Sequence, residues 1–280
     1  MREAEYYKVI DGVRIQCRLC PHACILGDEE SGICRTRMNE GGTMRLPFYG
    51  EISSIAMDPV EKKPLRHFLP GTRTFSVGFW HCTMACPFCQ NWQISQPERI
   101  EGRHITPEAL VNMAVDSGAP SVSFTYSEPC LHIEYVKEAM RLAHGRGLKT
   151  ILVTNGCILE TPARDILALT DAANVDLKSW SGPTYHKILR GELEIVKNFI
   201  QIAYSACHLE VTSLLVPGVL DSPEEMEGIA GFLASVSPKI PLHITPYHPD
   251  WRWHRAPLPS EEIGRIAAPA FALLEKVHCF

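Results

Sequence analysis

From residue 72 onward the chain alternates short apolar runs with segments of helical period. The runs Thr74-Phe-Ser-Val-Gly-Phe-Trp80, Ser121-Val-Ser-Phe-Thr-Tyr126 and Thr150-Ile-Leu-Val-Thr154 are rich in β-branched and aromatic residues and bounded by turn residues, as buried strands are. Ala173-Asn-Val-Asp-Leu177, Leu209-Glu-Val-Thr-Ser-Leu-Leu-Val216 and Leu242-His-Ile-Thr245 continue the series. Helices are predicted between them. Thr106-Pro107-Glu108 places an N-cap, a first-turn proline and an acid ahead of Ala109 to Val115. Ser222-Pro-Glu-Glu225 is a capping box opening Met226 to Val236. The helical run Glu134 to His144 stops at Gly145, and Gly147 precedes the next strand.

Six strands alternating with helices predict parallel strands joined by right-handed crossovers. Six units fall short of the eight of a closed barrel. The expected fold is α/β, an open (β/α)6 partial TIM-type barrel over 72–250, with a doubly wound sheet as the alternative. Either places ligands at the carboxyl ends of the strands. Polar residues stand there: Cys82, Glu128, Thr154 and Asn155, Asp176 and Lys178, and His248. Residues 1–45 carry four cysteines and little core pattern, and read as a small Cys-rich metal-binding module. Residues 46–71, punctuated by Asp58-Pro59, Lys63-Pro64 and Pro70-Gly71, read as a connector. Residues 251–280 read as a closing segment that ends in a helix.

Composition narrows the class. The 280 residues include 27 Lys+Arg and 32 Asp+Glu, for a net charge of −5, and no basic run exceeds a pair such as Lys62-Lys63. Neither nucleic acid nor an anionic membrane is an expected partner. The first residues lack the apolar core of a secretory signal, and no apolar stretch approaches the ~18 residues of a membrane span. A cytoplasmic protein is expected.

Seven of the 11 cysteines fall in two groups, at 17–34 and 82–89. In a reducing compartment such spacing reads as metal binding before disulfides. Cys130, Cys157, Cys207 and Cys279 are scattered and read as small buried hydrophobes. His81-Cys82-Thr-Met-Ala-Cys86-Pro-Phe-Cys89 is a C-x3-C-x2-C triplet in the loop after the first strand. Iron–sulfur cubanes normally take four thiolates, so three alone would leave one iron open for another ligand. A structural zinc borrowing His81, or a ferredoxin-like cluster borrowing a distant cysteine, also fits the spacing. Cys17-x2-Cys20-x3-Cys24-x9-Cys34 has four thiols, enough to close a zinc site or hold a second iron–sulfur cluster. The five tryptophans, among them Trp80, Trp92, Trp251 and Trp253, read as packing.

With the triplet and the aromatic Phe88 before its last cysteine, the sequence resembles the radical S-adenosylmethionine (SAM) superfamily, in its pyruvate formate-lyase activating-enzyme-like branch. It is most similar to the radical SAM member of the AmmeMemoRadiSam system, associated with AMMECR1-like and Memo-like proteins. The resemblance runs through Cys17-Arg-Leu-Cys-Pro-His-Ala-Cys24, Asp58-Pro-Val-Glu-Lys-Lys-Pro-Leu65, Phe88-Cys-Gln-Asn-Trp-Gln-Ile-Ser95 and Val153-Thr-Asn-Gly156. Asp176-Leu-Lys178, Val216-Pro-Gly218 and Pro246-Tyr-His248 extend it. It implies a 4Fe–4S cluster on Cys82, Cys86 and Cys89, with SAM on the open iron. Reductive cleavage of SAM would yield methionine and a 5′-deoxyadenosyl radical for hydrogen abstraction.

The resemblance also implies a SAM pocket of Ser127, Glu128, Thr154, Asn155, Asp176, Lys178 and His248. The family's Gly-Gly-Glu-Pro stands here as Tyr126-Ser127-Glu128-Pro129, with both glycines replaced. Val153 occupies a position where activating enzymes often carry Asp. Expected partners are a small-molecule or protein substrate, a low-potential donor such as ferredoxin or flavodoxin, and the AMMECR1-like and Memo-like proteins. Two other classes compete: a two-cluster electron-transfer or redox-sensing protein without SAM turnover, and a zinc-stabilised scaffold.

Overall fold

The structure is a computed structural model and describes residues 1–279; Phe280, the last residue of the expected closing segment, lies outside the described residues. Its centre is one mostly parallel sheet. Strand β1 (Glu51–Pro59) runs antiparallel to β2 (Arg73–Phe79). From β2 the sheet continues in chain order and all parallel through β3 (Ser121–Thr125), β4 (Lys149–Thr154) and β5 (Ala172–Asp176). It ends with β6 (His208–Leu215), β7 (Leu242–Pro246) and β8 (Val277–Cys279). A two-residue strand, Arg103–His104, pairs with the outer edge of β1.

Each expected strand is present to within a residue or two, and sheet order equal to chain order is the open partial barrel. The connecting helices are α1 (Pro107–Asp116), α2 (Ile133–Gly145), α3 (Glu160–Leu167), α4 (Leu193–Ala206), α5 (Pro223–Val236) and α6 (Ser260–Leu273). The predicted caps form: Thr106 Oγ1 accepts from Ala109 N–H at 3.2 Å, and Ser222 Oγ from Glu225 N–H at 3.3 Å.

Two strands go beyond the sequence expectation. β8 is a three-residue edge strand, too short to stand out from the chain around it; its exposed Cys279 is not the buried hydrophobe expected there. β1 lies inside the segment read as a connector, and its half-buried pattern and terminal proline mask its strand character.

The residues after β1 are also more than a linker. Val60 and Leu65 pack with Ile151 and Ala172, near the starts of β4 and β5. Asn174 Nδ2 donates to the Pro64 carbonyl at 2.9 Å. The buried Glu210 carboxylate accepts from the backbone N–H groups of Arg66 (3.0 Å) and His67 (2.8 Å), and pairs with His208 (2.9 Å) and His243 (2.6 Å). Segment 60–68 is therefore a plug across the amino ends of the strands, which turns the barrel into a cup open at the carboxyl ends.

Two small antiparallel sheets precede it: Tyr7–Asp11, Arg14–Cys17 and Ile25–Leu26, and then Arg2–Glu3, Met38–Glu40 and Thr43–Leu46. Ile15, Leu19, Leu26 and Met44 join the same continuous core as the barrel. A buried ion pair reinforces this seam: Arg37 Nη2 donates to both Glu134 oxygens on α2, at 2.9 and 2.8 Å.

The plug makes stability acid-sensitive. Burial alone would raise the Glu210 carboxyl, but bonds from His208, His243 and the Arg66 and His67 backbone hold it well below its ordinary 4.5. A depressed carboxyl stabilises the fold above its unfolded pKa and loses that contribution as pH falls through the folded one. Glu210→Gln should cost about 3 kcal/mol at neutral pH. In denaturant titrations the gap to the parent should narrow steadily below about pH 4.5.

Candidate active site

The cup holds a cavity of about 510 Å³. Cys82, Cys86 and Cys89 line it together from the loop after β2. Ser127, Thr154, Asn155, Asp176 and Lys178 line it from the ends of β3, β4 and β5. The rule that alternate strand residues share a face places Asp176 and Lys178 on the cavity side, and they form an ion pair at 2.8 Å.

Backbone strain marks this rim. His81, next to Cys82, has φ +71°, and Tyr126 also has φ +71°. The left-handed region costs a residue with a side chain roughly 1–2 kcal/mol, and such residues collect at functional sites. Tyr126 occupies the left-handed conformation at the place of a family glycine. Its ring lies against Gly78, where an added Cβ would meet Tyr126 Cδ2 at 2.8 Å. Its hydroxyl donates to Asp58, which also accepts from Lys63 (2.6 Å) and Lys62 (3.1 Å). Lys62, Lys63 and Tyr126 all line the cavity. The sequence showed Lys62-Lys63 as a basic pair within the Asp58–Leu65 motif; no local signal announced that Tyr126 would reach it.

Two expected residues stand elsewhere. Glu128 is buried and does not line the cavity. Its carboxylate accepts from Thr154 Oγ1 (2.6 Å), Asn155 N–H (2.9 Å) and Cys130 N–H (3.0 Å). Burial raises its carboxyl, with these bonds in partial opposition. His248 is exposed and outside the cavity lining. The tryptophan reading is met in detail. Trp251 stacks on Trp92 with ring centroids 6.3 Å apart, and Arg252 N–H donates to the Pro87 carbonyl at 2.9 Å. The segment after β7 thereby braces the Cys86–Cys89 turn.

The thiols are held in distinct surroundings. Cys82 Sγ lies 3.4 Å from both Asn155 Nδ2 and Met84 N, and Cys89 Sγ lies 3.3 Å from Ser95 Oγ. Burial pushes the metal-free Cys86 thiol up to about 12, opposed by the nearby Lys178 cation. Burial alone would lower Lys178, but Asp176 and Cys86 raise it above its ordinary value. Three thiols beside a fixed cation form a donor set suited to a metal–sulfur centre. Among the described residues, no three His, Cys, Asp or Glu groups are gathered for a single metal ion.

The radical SAM superfamily profile matches residues 81–233, more than half of the chain. The chain belongs to the radical SAM superfamily. An uncharacterized protein of Methanocaldococcus jannaschii is 35% identical over 256 residues, which cover 90% of this chain and 76% of that one. The pyruvate formate-lyase-activating enzyme of Staphylococcus epidermidis is 24% identical over 216 residues, 71% of this chain and 81% of that enzyme. A radical SAM methyltransferase from Sphaerobacter thermophilus shares the fold, with a TM-score of 0.58 and 18% identity over 76% of this chain and 67% of that one.

This is therefore a radical SAM enzyme, and its cofactors are a 4Fe–4S cluster and SAM. The cavity fits both requirements: three thiols, and a polar rim beside them. Among the described residues no helix is long and apolar enough to cross a membrane.

The position of Glu128 generates a prediction. Glu128→Gln should lower unfolding free energy by about 2 kcal/mol, because its amide NH2 would face the Asn155 or Cys130 N–H and leave that buried donor unmade, measured by chemical denaturation of the metal-free protein. A carboxylate that served only to receive a ligand would leave that stability unchanged.

Proposed function

We propose that Cys82, Cys86 and Cys89 hold the 4Fe–4S cluster, and that SAM lies beside it against Ser127, Thr154, Asn155, Asp176 and Lys178. The observation that carries this is the convergence of three thiols and the Asp176–Lys178 pair on one cavity. When bound, the cluster supplies the electron that cleaves SAM to methionine and a 5′-deoxyadenosyl radical. Asn155 Nδ2 and the Met84 N–H place donors at the Cys82 sulfur, where hydrogen bonds tune a cluster's potential. Lys178 offers a fixed cation for a carboxylate, and Asp176 a fixed anion for a cationic centre. The plug at 60–68 closes the far end, which keeps bulk water from a reactive species formed above it.

The substrate is assigned to the protein class. The cup is open at the strand ends, and relatives that align over most of the chain carry the name pyruvate formate-lyase-activating enzyme. The Cys17–Cys24 and Asp58–Leu65 motifs favour the AmmeMemoRadiSam branch, with AMMECR1-like and Memo-like proteins as partners. A cytoplasmic location and a ferredoxin or flavodoxin donor accompany that reading.

The test is anaerobic. Protein reconstituted with iron and sulfide, then given dithionite and SAM, should form 5′-deoxyadenosine detectable by mass spectrometry. Cys86→Ala should abolish it. Product that persists in the variant, or a reducible cluster that yields none in the parent, would overturn the assignment.

A further inference from the structure

The four amino-terminal cysteines lie outside this cavity, and the chemistry above makes no use of them. They are gathered in the fold. Cys17 N–H donates to the Cys24 carbonyl at 2.9 Å, and Ala23 N–H to that of Cys20 at 3.1 Å. The point where a Cβ on Gly32 would stand is 3.7 Å from Cys34 Sγ and 3.8 Å from Cys24 Sγ. The residues beside two of the cysteines, Ala23 and Arg35, are both left-handed, with φ +44° and +61°.

Arg37 is 1% exposed, and its Nη2 alone serves Glu134. Its Nε and Nη1 are buried without a hydrogen-bond partner, and its charge couples to Cys17 and Cys34. Buried guanidinium donors left unmade are costly, and neutral thiols are weak acceptors. An anionic metal–thiolate centre would supply both acceptor atoms and counter-charge.

We propose that Cys17, Cys20, Cys24 and Cys34 hold a second four-iron cluster, with Arg37 as its charge-compensating donor, and that it relays electrons to the cluster at Cys82. Four thiols also suit a tetrahedral zinc ion, but the quartet's loop touches the Cys82 loop, which favours a redox centre. A relay needs a cluster at Cys82 to receive the electron, and to that extent the inference rests on the function proposed above. One contact joins the two cysteine loops. Two residues after Cys20, His22 Nε2 donates to the carbonyl of Thr83, the neighbour of Cys82, at 3.0 Å. One electron enters from a one-electron donor such as reduced flavodoxin, and the same electron passes to the second cluster; no bond or proton changes place.

Three reconstituted proteins test this: the parent, Cys86→Ala/Cys89→Ala, and Cys17→Ala/Cys20→Ala. Iron per chain should be about eight in the parent and about four in each double variant. Parent-level iron in Cys86→Ala/Cys89→Ala would sink the function proposed above. Parent-level iron in Cys17→Ala/Cys20→Ala, or zinc in the parent that this variant loses, would sink the second cluster. With dithionite the remaining cluster of Cys17→Ala/Cys20→Ala should still reduce, whereas reduced flavodoxin should act at least tenfold more slowly than on the parent; equal rates would overturn the relay. Should that variant fail to fold, Arg37→Gln/Glu134→Gln decides, since it removes the cation without stranding a carboxylate. One of two midpoint potentials should shift negative, and unchanged potentials would overturn the role of Arg37.

Discussion

One buried carboxylate organises the rim of the cup. Glu128 sits at the end of β3, yet its three bonds reach Thr154 and Asn155 at the end of β4 and the backbone of Cys130. Asn155, held by its own N–H, then extends Nδ2 to Cys82 Sγ and to Thr83 Oγ1 at 3.0 Å. A single anion thus links the ends of β2, β3 and β4, and sets where the first thiol stands relative to the polar wall. Charged-acceptor bonds in a site shielded from water are individually strong, and a partly satisfied buried network is worse than none. The completeness of the Glu128 set is what allows the loop after β2 to be irregular and strained while its position stays defined.

Legibility from sequence followed the same physics. Parallel strands fix where polar residues must collect, so the strand ends at Cys82, Thr154, Asn155, Asp176 and Lys178 were readable, and all five line the cavity. Alternation carried two residues past the end of β5 was enough to bring Asp176 and Lys178 to one face. Glu128 was read from the same rule, yet its side chain is buried away from the cavity lining, because charge at a strand end does not tell which way a side chain turns. His248 follows β7 in sequence but is exposed and outside the cavity lining. The plug was missed because its anchors are remote. Glu210 lies 144 positions from Arg66, and Asn174 lies 110 from Pro64, distances over which a single sequence carries no pairing signal.

The amino-terminal sheets pack directly onto the barrel. Their apolar residues share a core, and the buried Arg37–Glu134 pair crosses the seam. Such a pair adds little net stability compared with apolar packing, but it is strongly destabilising when half removed. Its retention at this seam, with two guanidinium nitrogens left over, makes sense if the cation serves a second purpose on its other side.

Charge inside the cup is balanced in two separate places, and they differ in how easily they yield. At the rim Asp176 and Lys178 neutralise each other one to one, so moving either strands the other in a partly buried site. At the floor Asp58 has three donors, Lys62, Lys63 and Tyr126. Burial would raise its carboxyl, but those donors hold it well below the usual range, so it remains an anion. Lys63 is 2% exposed and cannot leave, whereas Lys62 is 66% exposed. Withdrawing Lys62 from the surplus of donors leaves Asp58 satisfied and costs little, as for any exposed ion pair. Of the three lysines lining the cavity, Lys62 is therefore the one free to turn toward an incoming anionic group while the floor beneath it holds its shape.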